Sequence, residues 1–250
     1  MVLSGHPLRR VLAWIMQVLL AVTAVSAAVV EILGVLPPPT TAFMLQDRFS
    51  HVAEDRPSKI AYTWKSRQEI SPQLLLAVIA AEDQRFPEHS GFDLRAIEQA
   101  ADHNRRGGSV RGASTLTQQV AKNLFLWPGR SYFRKGVEAG LTMLLELCWT
   151  KLRILEVYAN VAEFGDRIYG AEAASRRFFS KPASQLTAEE AALLAAVLPD
   201  PESLRVDQPS GYVKKRQRWI LSQMKRLGGT SFLRRISPTF SACCAASGSP

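Results

Sequence analysis

Hydrophobic positions in this chain come first as one unbroken block and afterwards as short runs cut by polar clusters. Val11 to Val30 is a stretch of about 20 uncharged residues, enough to cross a hydrocarbon core as a helix. Arg9 and Arg10 precede it and Glu31 follows, so the positive-inside rule leaves residues 1–10 in the cytoplasm and the bulk of the chain outside. A cleaved signal peptide is the competing reading, with Val25-Ser26-Ala27 as the cleavage site. The apolar run continues through Val29-Val30 and resumes at Ile32-Leu33, which favours an uncleaved transmembrane anchor over residues 11–33. Pro37-Pro38-Pro39-Thr40-Thr41 then breaks the helix. Residues 34–70 read as a linker and a partly extended covering segment containing Phe43, Phe49, Tyr62 and Trp64.

From Ser71 the pattern is helix after helix, so the fold class is mainly α. Ser71-Pro72 is an N-cap followed by proline at the first helical position. Leu74 to Ala81 is apolar on all sides and predicts a central, buried helix. Asp93 to Asn104 predicts a second helix, and Arg105 to Ala113 a mobile basic loop. Thr115 with Gln118 is a capping box opening a helix whose Leu116, Val120 and Leu124 share one face. Further helices are expected over Ser131 to Leu147, Lys151 to Asn160 and Tyr169 to Phe179. Thr187 and Glu190 form another capping box before the apolar run Ala191 to Leu198. Tyr212 to Leu227 is basic and amphipathic, with Val213, Ile220 and Leu227 at a seven-residue repeat, and reads as a packed helix with a solvated charged face, a membrane-surface role being the alternative. The main domain is expected over residues 71–230, and residues 231–250 as a disordered tail.

Composition narrows the chemistry. The net charge of +9 points to an anionic partner. The cysteines Cys148, Cys243 and Cys244 have neither a disulfide framework nor metal-ligand spacing, and no His-Glu-x-x-His occurs, so a zinc enzyme is not expected.

Three polar clusters interrupt the helical background. The Leu74 to Ala81 run ends in Glu82 and Asp83, either polar residues marking a helix end or a base whose ionisation its surroundings set. In Ser114 to Asn123, Gln118 and Lys122 are four apart, as are Gln119 and Asn123; that stripe is either an exposed face or a surface for hydroxyl-rich or phosphate-bearing ligands. In Arg130 to Glu138, the acid lies four after Arg134 and three after Lys135, the spacing of an intrahelical ion pair as well as of a catalytic group among cations. Two separated carboxylates suit glycosidic chemistry, and surplus cations suit a phosphate leaving group.

The motifs carrying these clusters resemble those of the peptidoglycan glycosyltransferase family. They are Glu82-Asp83-Gln84-Arg85-Phe86 with His89-Ser90-Gly91, then Gly112 to Leu126, Arg134-Lys135-Gly136-Val137-Glu138, Lys151 to Asn160, and Gly170 to Phe179. Their order and spacing agree from about Gln73 to Pro201. Ala159 departs from the leucine usual in the family, thinning the packing beside Tyr158 and Asn160 without removing a polar group. No Ser-x-x-Lys is accompanied by Lys-Thr-Gly, so the monofunctional form is expected rather than one with a penicillin-binding domain.

The resemblance implies a lysozyme-like helical glycosyltransferase domain behind a single transmembrane helix, in the bacterial inner membrane with its catalytic domain on the periplasmic side. It implies lipid II and the growing glycan chain as substrates, and polymerisation into β-1,4 strands with release of undecaprenyl pyrophosphate. Glu82 is then the general base on the acceptor hydroxyl, and Glu138 the second carboxylate, on the donor side. Lys122, Arg134, Lys135 and Arg111 are the expected phosphate contacts. Thr115, Gln118, Gln119 and Asn123 are the expected contacts to sugar and peptide, while Asp83, Phe86 and His89 support Glu82. Lys151, Glu156 and Asn160 read as structural. No cofactor is required by the sequence and no metal ligand set is found, although a divalent cation such as Mg²⁺ is compatible with the family. Membrane lipids, and proteins of cell-wall elongation or division, are the partner classes implied; nucleic acid is not. Two rival readings are a murein hydrolase or lytic transglycosylase using Glu82 as an acid, and a non-catalytic cell-wall scaffold tethered to the membrane.

Overall fold

A computed structural model describes residues 6–53, 59–107, 112–129 and 131–236. The chain divides into two compact units, Met1–Leu36 and Pro37–Pro250. The first is helix α1 (His6–Val35), 30 residues and therefore about 45 Å long. From Arg9 to Val35 it is long and apolar enough to cross a membrane, and Leu12, Trp14, Leu20 and Val25 along it are exposed.

The second unit is built around α3 (Pro72–Glu82). Ser71 caps its first turn by accepting from Gln73 N and donates its hydroxyl to the Leu186 carbonyl at 2.8 Å. Leu74 to Ala80 are all buried, as expected of a segment apolar on every side. Against α3 pack α9 (Ala188–Val197), whose Ala191, Ala192 and Leu194 to Val197 are buried, and α10 (Gly211–Arg226), which buries Val213, Ile220 and Met224. A second group forms around α5 (Leu116–Phe125), which packs on α6 (Tyr132–Cys148) and α7 (Lys151–Val161). Helix α7 also meets α3, joining the two groups. Helix α4 (Leu94–Arg105) begins at an Asp93 cap and leaves Leu94 and Ile97 exposed.

A three-stranded sheet of short strands closes one side. Strand β1 (Ala61–Tyr62) runs parallel to β3 (Ile168–Tyr169), and β2 (Glu163–Gly165) runs antiparallel to β3 on its other edge. Gly170 follows at φ 85° and leads into α8 (Ala171–Phe179); a Cβ there would stand 2.4 Å from the Asn160 carbonyl oxygen. The Asn160 side chain accepts from Lys65 N and donates to the Lys65 and Glu156 carbonyls, while Glu156 accepts from Arg67 N. The α7 motif thus fastens the covering segment to the domain.

Three expectations change. Ala42–Ala53 is a helix, α2, where a partly extended segment was expected; Thr41 caps it by accepting from Met44 N at 3.1 Å, and Met44 is buried. Ile168–Tyr169 is strand, so α8 starts two residues after the predicted helix begins. Gly229–Arg235 is a 3₁₀ helix that buries Phe232, with Ile236 buried beyond it, so packed chain extends past the predicted start of the tail. Residues 237–250 of that tail, and Arg111 of the basic loop, lie outside the described residues.

Candidate active site

The site grows from the end of α3. The helix stops because Asp83 leaves helical geometry, at φ −157° and ψ 73°, and turns its carboxylate inward. Buried Asp83 accepts from Leu116 N at 3.1 Å and pairs with His89 Nε2 at 2.9 Å. A carboxylate on the first amide of α5 satisfies an otherwise orphan donor and complements the positive end of the helix. Phe86 is buried next to these groups, its ring edge toward His89 and the Lys151 ammonium 4.5 Å from its centroid.

Glu82 faces the other way. Its Oε2 accepts from Gln119 Nε2 at 3.0 Å, and its Oε1 from Arg216 Nη2 at 3.2 Å. Tyr158 donates its hydroxyl to Gln119 Oε1 at 3.0 Å, which fixes which end of the Gln119 amide points at the carboxylate. Burial pushes the Tyr158 hydroxyl well above its ordinary pKa, and the Glu82 charge adds to the shift, so Tyr158 stays a donor. Each Glu82 oxygen has a second lone pair to offer. The carboxylate lines a cavity of about 300 Å³ together with Gln84, Arg85, Gln99, Ser114 and Trp219.

Gln119 lines a second cavity, of about 160 Å³, with Phe43, Lys122, Asn123, Tyr158 and Glu163. The Lys122 ammonium lies 5.5 Å from the Phe43 ring centroid. Burial pulls its pKa down; Glu138 and Glu82 oppose that shift, while Arg134 and Lys135 reinforce it. Lys122 therefore sits in the field of both carboxylates. Glu138 itself is 3% exposed and takes Arg134 Nη1 at 3.3 Å and the Lys135 ammonium.

Of the residues expected at the site, Glu82 and Gln119 meet directly, and Lys122, Arg134, Lys135 and Glu138 form one electrostatic group. Asn123 joins Gln119 and Lys122 around the second cavity, and Thr115 lines the first. Gln118 differs. It is buried, and its amide oxygen accepts from Thr115 N while the Thr115 hydroxyl caps Gln118 N. Its amide oxygen is engaged in helix capping, because a box residue at this spacing folds back on its own N-terminus.

Sequence reasoning missed Arg216 and Tyr158 as neighbours of Glu82. Arg216 looks like any other cation on the basic face of α10, and only packing 134 positions away in the chain selects it. Tyr158 lies inside a recognised motif, where its buried hydroxyl carries no local signature. A further cavity of about 420 Å³, lined by Lys59, Arg167, Arg177, Phe178 and Arg205, contains none of the expected site residues. Among the described residues, no three His, Cys, Asp or Glu side chains converge as a metal site.

A family model described as transglycosylase matches residues 50–225. The chain is 54% identical over 219 residues to the biosynthetic peptidoglycan transglycosylase of Cronobacter sakazakii, an alignment covering 87% of this chain and 91% of the relative. The proteins of that name from Klebsiella oxytoca and Salmonella arizonae are 54% and 56% identical over 90% and 82% of this chain, and 94% and 86% of their own length.

Proposed function

The chain belongs to the transglycosylase family and is a peptidoglycan glycosyltransferase, and on that premise we propose that it polymerises lipid II with Glu82 as general base. The observation that carries this reading is the Glu82 carboxylate at a cavity wall, oriented by Gln119 and Arg216, with Lys122 in the field of Glu82 and Glu138 alike. The 4-hydroxyl of the acceptor GlcNAc enters the cavity and donates to Glu82. Its oxygen attacks C1 of the donor MurNAc while the proton passes to Glu82. The C1–O bond to the pyrophosphate breaks on the opposite face, and the leaving group takes the electron pair. That displacement inverts the anomeric centre and forms a β-1,4 link.

Charge develops on the departing undecaprenyl pyrophosphate, and Lys122, Arg134 and Lys135 supply cations for it. Buried Glu138 holds Arg134 and Lys135 together. The described residues offer no ligand set that fits a divalent cation, since no three His, Cys, Asp or Glu side chains converge among them and Glu138 already carries two cationic partners. Asn123 is placed to contact sugar or peptide in the second cavity. With Arg9 and Arg10 on the cytoplasmic side of α1, the domain works outside the inner membrane on a substrate held in the bilayer.

Glu82→Gln keeps one acceptor oxygen, for either Gln119 or Arg216, sets its NH₂ against the other donor, and is no longer a base. It is expected to cut polymerisation of lipid II by on the order of 10²-fold or more, with an unchanged helical spectrum. Wild-type polymerisation by purified Glu82→Gln would remove Glu82 from the chemistry. Consumption of murein sacculi, with lipid II untouched, would favour a hydrolase instead.

A further inference from the structure

Helix α10 carries two large aromatic side chains that the reaction leaves unused. Tyr212 is 58% exposed and Trp219 44% exposed. They are seven residues apart, two helical turns, so both stand on one face about 10 Å apart along the axis. Lys215 and Arg216 lie between them, and these four side chains line an open groove of about 300 Å³.

The groove runs into the site. Trp219 also lines the Glu82 cavity, and Arg216 bonds Glu82 at 3.2 Å. The Arg216 side chain is partly exposed beside this bond, so the guanidinium reaches both Glu82 and the groove. Lys214 and Arg218 add positive charge to the same helix.

An aromatic pair flanking two cations suits a glycan. A pyranose chair presents a face of C–H bonds that stacks on an aromatic ring, and its acidic substituents pair with ammonium and guanidinium groups. We propose that this face of α10 carries the growing β-1,4 glycan strand. Tyr212 and Trp219 stack under sugars about one disaccharide repeat apart, and Lys215 and Arg216 engage the strand's carboxylates. The proposal rests on the reading of Glu82 as the point of bond formation, because the strand leads from there. Tyr, Trp, Lys and Arg also compose membrane-interface surfaces. Continuity with Glu82 favours the strand, since the Arg216 guanidinium is turned to that carboxylate rather than to a headgroup.

The test uses the full chain in detergent micelles, with Tyr212→Ala, Trp219→Ala, the double variant and Trp219→Phe. The probes are labelled peptidoglycan strands of eight or more sugars and, separately, lipid II. The double variant is expected to bind strands tenfold or more weakly. Its products are expected to be shorter than wild type when reactions are stopped at the same extent of lipid II conversion, however long each takes. Trp219→Phe recovers most of both properties, and circular dichroism shows an unchanged helix content. Strand affinity and product length within twofold of wild type would overturn the proposal. So would retained strand binding with lost adsorption to vesicles of anionic phospholipid, which would make the face a bilayer contact. The strand-binding arm needs no turnover, so a protein that binds strands through this pair yet consumes no lipid II sinks the polymerase reading alone.

Discussion

Glu163 shows how one buried carboxylate makes a pH-dependent weak point beside the site. It lines the cavity of Gln119, Lys122 and Asn123, and its Oε1 accepts from Arg167 N at 3.2 Å. Burial raises its pKa to about 7, against the Arg167 amide, with Asp47, Glu202 and Asp166 adding to the rise. A folded pKa above the unfolded one means that the stabilising contribution is full below about 4.5 and is lost as pH rises through about 7. Glu163→Gln keeps the acceptor for Arg167 and cannot ionise. It is expected to exceed wild type in stability by on the order of 1–2 kcal/mol near pH 8 and to match it near pH 4. Thermal unfolding in micelles at the two pH values checks this; an equal gap at both would mean that the effect is not ionisation. Nothing in the local sequence marks Glu163 as unusual, because its shift comes chiefly from burial under chain folded against it, with Asp47 of α2 and Glu202 beyond α9 adding to it. Glu82 was easier to read: an apolar run that ends in an acid already predicts a carboxylate delivered from a buried helix, and its motif added a role.

At the scale of elements, the N-terminus of α5 holds the site together. Thr115 caps it, receives the Gln118 side chain on its own N–H, and donates its hydroxyl to the Gly91 carbonyl at 2.6 Å. Asp83 takes Leu116 N, so the end of α3 and the start of α5 share one set of hydrogen bonds. Gly91 sits at φ 86°, with the Thr142 methyl 2.8 Å from where its Cβ would be, which leaves glycine as the residue that fits. Thr115→Ala is therefore expected to cost about 1–2 kcal/mol of stability and to lower turnover, because Gln119 and Lys122 ride on the same helix. Thr115→Ser is expected to restore most of both in unfolding and polymerisation assays. Equal loss in the serine variant would point to packing of the methyl group rather than to the cap. The capping box was plain in the sequence, since its signal lies within four residues. Helix α2 was not, because a mixed segment after three prolines has no strong period and becomes helical where Met44 finds a place in the core.

For the whole molecule, an apolar helix of 30 residues, long enough to cross a membrane, precedes a compact unit from Pro37 onward that carries Glu82 and Glu138. A chain beginning at Pro37 is expected to keep its helical fold and leave the membrane fraction on carbonate extraction. It is also expected to polymerise lipid II in vesicles tenfold or more slowly, since substrate and enzyme then no longer share a surface. Retention of that shorter chain in the carbonate-washed membrane would move the anchor into the main unit. The sequence by itself determined the long apolar N-terminal helix, the run of helices and their caps, and the identity of the two acids and the cations near them, because these are encoded by neighbours within one or two turns. It also placed Asn123 and Lys122 on one helix. Only the tertiary structure decided that Arg216 and Tyr158 close around Glu82, that Gln118 turns inward, and that Lys122 feels both carboxylates. Those facts depend on α5, α7 and α10 meeting at the end of α3, and such contacts join residues tens of positions apart that carry no common period.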